Sequence, residues 1–470
     1  MTTQARTFER TFRVEGITRV EGEGSLHLLV RDGAVTEARL RIFEAPRYFE
    51  QLVLGRDPDQ VLDIVARICG ICPEAYQMSA ANAFEAIFGI EIDPQVRALR
   101  RLLYAGEYIE SHALHVYLLH APDFLGYASA IDLAKDHRAV VEQGLALKKT
   151  GNQLMAVIGG RPIHPVNVRV GGLYRTPRRE ELLALRPALA TAIEQSKATL
   201  ELVTRFEAPP FERDVRLVSL KHPGEYPLFA GRIVSSDGAV DVGIGEWRSV
   251  FREEHREGSN ALHARTHAGE TYQLGPSARV TIAADHLHPV AREALQKTGL
   301  REAIARNPFW SIAARGVELI HYCAEAVDII DAYQRPAAPF VPWTPRAGAA
   351  GWGSEAPRGI CWHYWETDAN GLVSGAQIVP PTSQNQGQIE ADLRGFAPQV
   401  LELEHAEATR RLEQLIRSYD PCISCATHFL DLTIEEGWAR PRRCTGEPDP
   451  AARAAGSSAS TRVRAAGSSA

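Results

Sequence analysis

Two Cys-x-x-Cys pairs, Cys69-Gly-Ile-Cys72 and Cys422-Ile-Ser-Cys425, stand near opposite ends of this chain, with Cys72 and Cys422 350 positions apart. A pair of this spacing aims two sulfurs at one ion from a single turn, and two pairs supply four soft ligands suited to zinc, nickel or an iron-sulfur site. Zinc ribbons keep their pairs within about 20 residues of each other. Here a shared metal would have to join the two ends of a large fold. The spacing alone leaves structural zinc, a catalytic metal, an iron-sulfur cluster and a redox dithiol open.

The rest of the chain narrows the class. Its 470 residues, 45% apolar and 23% charged, can bury a large core, which excludes disordered and fibrous classes and leaves room for several domains or one large subunit. A net charge of −6 gives no footprint for nucleic acid or an anionic membrane. Seven cysteines, four of them in the two pairs, argue against a disulfide scaffold. With no export signal at the start and no apolar stretch of membrane-spanning length, the expected location is cytoplasmic.

Local signals predict the elements. LHLLV and AVTEARLRI flank Asp32-Gly33 as hairpin arms, with Glu21 just before the first. Val61, Leu62, Ile64, Val65 and Ile68 keep helical spacing into Cys69, and Asp93-Pro94 starts a second helix. Thr176-Pro177 predicts another, running to about Phe206. Residues 207–290 are polar and rich in Gly and Pro, with a hairpin signal at Asp237-Gly238, and read as a smaller β-rich lobe. Helical periodicity returns at 308–334, a hairpin straddles Asn370-Gly371, and a last helix runs from Leu401 until Pro421 stops it. The expected fold is α+β and helix-dominated, with peripheral β-hairpins. Its divisions are a domain over 1–439 (β region 8–45, helical core 58–206 and 308–428, β-rich lobe 207–290) and a low-complexity tail over 440–470, in which RAAGSSA occurs twice.

The motif text adds a family. RICGICP at 67–73 and DPCISCATH at 420–428 resemble the paired cysteine signatures of the nickel-iron hydrogenase large subunit. ITRVEGEG (17–24), RYFEQLVLGRDP (47–58), SEAPRGICWHY (354–364) and IVPPTSQN (378–385) resemble its other elements in the same order, and the likeness spans about residues 10–430. It implies reversible, heterolytic H2 cleavage at a nickel-iron centre. Cys69 and Cys422 would be terminal nickel ligands, while Cys72 and Cys425 would bridge to an iron carrying carbonyl and cyanide. Cys422 would accept the proton and Glu21 relay it. Arg358, with Asp420 beside it, would stand over the open metal position, and Pro357 and Thr382 would line the cyanide pocket. A magnesium ion would take Glu50, His428 and a backbone carbonyl at Gln377.

Tyr76, Pro381 and Glu110-Ser-His112 depart from the pattern of respiratory members, and with SHALH at 111–115 they resemble the NAD(P)-linked or sulfhydrogenase-type class. The implied partners are an iron-sulfur small subunit, diaphorase subunits binding flavin and NAD(P), and a maturation endopeptidase that cuts after His428. The chain itself carries no Gly-x-Gly-x-x-Gly fingerprint and no cysteine set left for a cluster. Cys323 and Cys361 read as buried apolar thiols, and Cys444 has no assigned role. The alternative is a non-catalytic hydrogen-sensing subunit, or a structural-zinc scaffold related to the quinone-pocket subunit of complex I.

Overall fold

The computed structural model of the protein describes residues 9–31, 34–45 and 47–427. Alternating apolar and polar residues build the N-terminal meander. β1 (Glu9–Val14), β2 (Gly24–Arg31) and β3 (Ala34–Ile42) pair antiparallel in that order, with Leu26, Leu28 and Val30 buried. The Asp32-Gly33 turn lies outside the described residues, and Arg31 and Ala34 pair across it.

Capping fixes the helices around the first cysteine pair. The Asp57 side chain accepts from Asp59 N at 2.8 Å and Pro58 occupies the first turn of α1 (Pro58–Val65). A 3₁₀ turn (Ala66–Ile68) then delivers an extended Cys69, and Cys72 is the N-cap of α2 (Pro73–Phe88). Asp93 caps α3 (Pro94–Leu114) in the same way, and α3 packs along α4 (Arg138–Gly159).

The helix predicted from Thr176 to Phe206 is instead two, α5 (Arg179–Leu183) and α6 (Arg186–Val203). Pro187 causes the break, because its ring excludes the carbonyl four residues back and it has no N–H to give. In the β-rich stretch, β4 (Val218–Lys221), β5 (Arg232–Ser235) and β6 (Asp241–Gly243) form one sheet, with the predicted Asp237-Gly238 turn between β5 and β6. β7 (Phe251–His255) pairs with β8 (Leu262–Thr266), after which the chain is helical, as α7 (Pro276–Ile282). α8 (Ser311–Ala332) packs on α6 and α3.

The central sheet carries one strand the sequence did not announce. β9 (Gly348–Ala356) is GAAGWGSEA, almost free of the β-branched residues that mark strands. It pairs antiparallel with β10 (Gly359–Thr367) as far as Ala356↔Gly359, leaving Pro357 and Arg358 as a two-residue turn. β11 (Val373–Val379) completes the sheet. Ile360, Trp362 and Val379 share a buried cluster with Val218, Leu220, Ile233, Trp247 and Phe251, so the β-rich stretch and the central sheet bury one core. α9 (Pro381–Phe396) follows directly, and α10 (His405–Ser418) begins later than the expected Leu401 because a 3₁₀ turn at Ala397–Gln399 and the bends after it intervene. Among the described residues no helix is long and apolar enough to cross a membrane.

Candidate metal centre

The two ends of the described chain meet at the cysteines. Glu21 and Cys422 form an isolated parallel bridge, in which Ile423 N donates to Glu21 O at 2.9 Å. Gly22 makes this approach possible: its φ is +85°, and a Cβ there would lie 2.8 Å from both Ile423 Cβ and Ser424 N.

The sulfurs of Cys69, Cys72, Cys422 and Cys425 all lie within 4.8 Å of one another, and all four residues are buried. Cys69 Sγ stands 3.4 Å from Cys422 Sγ and accepts from the amides of Ile71 and Cys72 at 3.3 and 3.4 Å. The hydrogen bond from the Cys72 thiol, helped by the Arg358 charge and the Ile71 amide, holds Cys69 below the usual thiol range against the effect of burial. The same bond and burial push Cys72 well up.

Cys422 and Cys425 are joined as a disulfide in this structure. The bridge spans only three positions and staples no distant segments, so it is not a scaffold. Metal binding and the disulfide compete for the same sulfurs, since only the reduced pair offers thiolates. The donor set fits a soft, redox-active ion: four buried sulfurs from two tight turns, with a carboxylate and a guanidinium at the edge. A structural zinc needs the sulfurs alone.

The edge residues are firmly set. Glu21 Oε2 lies 3.1 Å from Cys422 Sγ and also accepts from Ser424 N at 3.1 Å. Arg358 donates from Nε to Asp420 O at 2.7 Å and from Nη2 to Asp420 Oδ1 at 3.1 Å, while its buried Nη1 has no partner among the described residues. Burial opposes the Arg358 charge, but Asp420, Cys72, Cys69 and Glu21 more than restore it. Asp420 adopts φ +54°, a conformation its short polar side chain tolerates better than most. Thr382 Oγ1, in the first turn of α9, accepts from Cys422 N at 2.9 Å and so steadies the second loop. Pro357 sits in the β9–β10 turn and turns its carbonyl to Arg279 Nη2 at 2.9 Å.

For the second metal position, Glu50 Oε1 accepts from Ile378 N at 2.6 Å, the amide of the peptide whose carbonyl belongs to Gln377. The Gln377 side chain accepts from Arg248 Nε at 2.7 Å and donates to Glu253 Oε2 at 2.8 Å. A cavity of about 20 Å³ beside Glu50 is lined by Arg47, Ile378, Ser424, Cys425 and Thr427. His428, the third expected ligand, lies outside the described residues.

Several residues at the centre had no role assigned from sequence. Arg47 donates to Ile68 O at 2.7 Å, Arg67 O at 3.0 Å and Ser424 O at 3.1 Å, so one guanidinium ties both cysteine loops together. It belongs to the RYFE stretch already singled out, the one signal that could have found it. Glu74 and Glu107 are buried, with Glu74 N donating to Glu107 Oε2 at 2.6 Å, and burial holds both acids protonated well above the usual carboxylate range. The buried Tyr76 hydroxyl has no partner among the described residues.

Four buried cysteine sulfurs brought together from the two ends of a helix-dominated α+β chain make a candidate metal centre unlike a zinc ribbon, whose cysteine pairs lie close in sequence. The chain matches the nickel-dependent hydrogenase family over residues 47–146 and 253–428. It is 32% identical to sulfhydrogenase 1 subunit alpha of Pyrococcus furiosus, covering 89% of this chain and 98% of the relative. To sulfhydrogenase 2 subunit alpha of the same organism it is 31% identical, covering 89% and 99%. The solved structure of an NAD+-reducing [NiFe]-hydrogenase in the H2-reduced state matches with a TM-score of 0.82 at 27% identity, covering 89% of this chain and 99% of that one. The chain belongs to the nickel-dependent hydrogenase family, and its fold is that of the nickel-iron hydrogenase large subunit.

Proposed function

We propose that this chain is the catalytic large subunit of a nickel-iron hydrogenase, interconverting H2 with protons and electrons. The observation that carries the reading is the convergence of four buried cysteine sulfurs within 4.8 Å, with Glu21 Oε2 3.1 Å from Cys422 Sγ. Cys69, Cys72, Cys422 and Cys425 would hold the nickel, and Cys72 and Cys425 would share with it an iron carrying carbonyl and cyanide. Bound there, the metals supply heterolytic splitting of H2.

The protein's own groups handle the proton and the surroundings. Cys422 Sγ is the first proton acceptor, and Glu21 is within reach to take the proton and pass it outward. Asp420 accepts from two nitrogens, Nε and Nη2, of the Arg358 guanidinium and leaves Nη1 as a buried donor for an anionic ligand such as cyanide. Thr382 holds the Cys422 amide, and together with Pro357 it borders the assigned cyanide pocket. Glu50, the Gln377 carbonyl and His428 form the assigned magnesium site, whose oxygen-rich character suits that ion.

Electrons leave through an iron-sulfur small subunit. Among the described residues, Cys323 and Cys361 are each buried outside the four-sulfur cluster, so no second cysteine set is available. The likeness to an NAD+-reducing enzyme supports NAD(P) as the acceptor, through flavin-binding diaphorase subunits in the cytoplasm. A maturation endopeptidase cutting after His428 completes the assigned partners.

The deciding experiment is an infrared spectrum of the complex purified with its native partners, together with its metal content. One carbonyl and two cyanide stretches with stoichiometric nickel are expected. Zinc without those bands, in a matured sample, overturns the reading.

A further inference from the structure

Arg358 rides on the two-residue turn between β9 and β10, and its place depends on what holds that turn. Every carbonyl from Glu355 to Arg358 is tied to another element. Tyr108 Oη donates to Glu355 O at 2.8 Å and to Ala356 O at 3.2 Å. Arg279 donates from Nη1 to Ala356 O and from Nη2 to Pro357 O, each at 2.9 Å, and Asn385 Nδ2 reaches Arg358 O at 3.3 Å.

Arg279 is itself fixed on all sides. Its Nε and Nη2 donate to the two Glu318 oxygens at 2.6 and 2.8 Å, and its Nη1 also donates to Glu355 Oε2 at 2.9 Å. All five N–H donors of the guanidinium are thus used. Glu318 also takes Tyr226 Oη and His112 Nε2, both at 2.7 Å, and the ring of Tyr108 lies 5.1 Å from the guanidinium carbon. Arg279, Glu318 and Glu355 are wholly buried, so no water can stand in for a lost contact without opening the core.

We propose that Arg279 is a positioning residue for Arg358: braced by Glu318 and Glu355, it clamps the carbonyls of the β9–β10 turn and thereby sets where the Arg358 guanidinium stands. The inference rests on the hydrogenase reading of the Arg358 site and deepens it. Lysine cannot replace Arg279, because three donors on one atom cannot serve acceptors spread along a planar five-donor fork.

The test compares Arg279→Lys, Arg358→Lys and the double variant, each as the holoenzyme with its native partners. Arg279→Lys is expected to keep nickel at wild-type stoichiometry and to speed amide hydrogen exchange over 356–360 about tenfold or more, as the turn loses net hydrogen bonds. Its cyanide stretches should shift in the direction seen for Arg358→Lys, and kcat should fall with KM for H2 unchanged. The double variant should be no worse than Arg358→Lys alone, since both act through one guanidinium. Losses that multiply in the double variant, or unchanged exchange and cyanide bands, overturn the proposal. Should Arg279→Lys fail to fold, Tyr108→Phe removes one clamp on the same carbonyls: shifted cyanide bands support the inference and unshifted bands overturn it. A wild-type sample without carbonyl and cyanide bands overturns the hydrogenase reading instead, and the exchange measurement still decides whether Arg279 holds the turn.

Discussion

At Glu21, backbone and side chain do separate jobs, and a substitution can divide them. The backbone carbonyl accepts from Ile423 N, and the carboxylate stands 3.1 Å from Cys422 Sγ. Glu21→Gln keeps the bridge and the shape but removes the proton-carrying group. It is expected to leave nickel content unchanged and to lower H2 oxidation by about 10²–10⁴-fold, the usual worth of a positioned acid or base, as measured by dye reduction beside metal analysis. Buried histidines give a second prediction at this scale. Burial holds His112 and His321 down at about 4, and His263 and His363 at about 3, from an ordinary value of 6.5. Folding therefore keeps them neutral while the unfolded chain takes up protons, so their contribution is full above pH 6.5 and is lost as pH falls toward 4 and 3. Each costs about 1.4 kcal/mol per pH unit in that window. Glu74 and Glu107, pushed well up by burial, and Glu355, pushed up to about 7, slope the other way above their unfolded value of 4.5 and reduce the net effect. The melting temperature is expected to fall on acidification below pH 6.5, and a flat profile from 6.5 to 4 would contradict the neutral assignment.

The contact between α3 and α4 is made by glycines. A Cβ at Gly151 would lie 2.6 Å from both Gly106 O and Glu110 N, a distance only backbone movement can relieve. Gly151→Ala is expected to push the helices apart at a cost of about 1–3 kcal/mol, read as a lower denaturant midpoint. Because α3 also carries Glu107, Tyr108 and His112, activity should fall with stability. The Asp57-Pro58 and Asp93-Pro94 starts were legible because capping is a local interaction within a few residues. The break at Pro187 is equally local, since its missing N–H and its ring act within one turn. β9 was not legible at all. Gly353 and Ser354 form a strand because β10 supplies the ladder and the tight core has room only for small side chains.

At the scale of the whole molecule, the proposed function sends electrons out of this chain to partner subunits. The subunit alone, with its metal centre complete, is expected to support no H2-driven NAD(P) reduction, and adding the iron-sulfur and diaphorase subunits should restore it. Activity of the isolated chain with NAD(P) would refute the division of labour. Maturation makes a second expectation at this scale: the active subunit should show the mass of residues 1–428, and a full-length active chain would exclude cleavage after His428.

The sequence by itself picked out the four cysteines that the fold brings together, and the hairpins and helix starts, since turn chemistry, capping and a C-x-x-C turn act over a few positions. It also implied that both ends must meet, because four sulfurs can share an ion only at one point. Only the tertiary structure decided which charges would be buried and against what. Arg279 meets Glu355 across 76 positions, and Tyr108 meets the same residue across 247. Nothing in the local sequence of Arg279 or Glu318 distinguishes them from solvated charges. Their roles come from low-dielectric surroundings assembled by distant elements, where an unpaired charge costs too much to persist and each donor must find its acceptor.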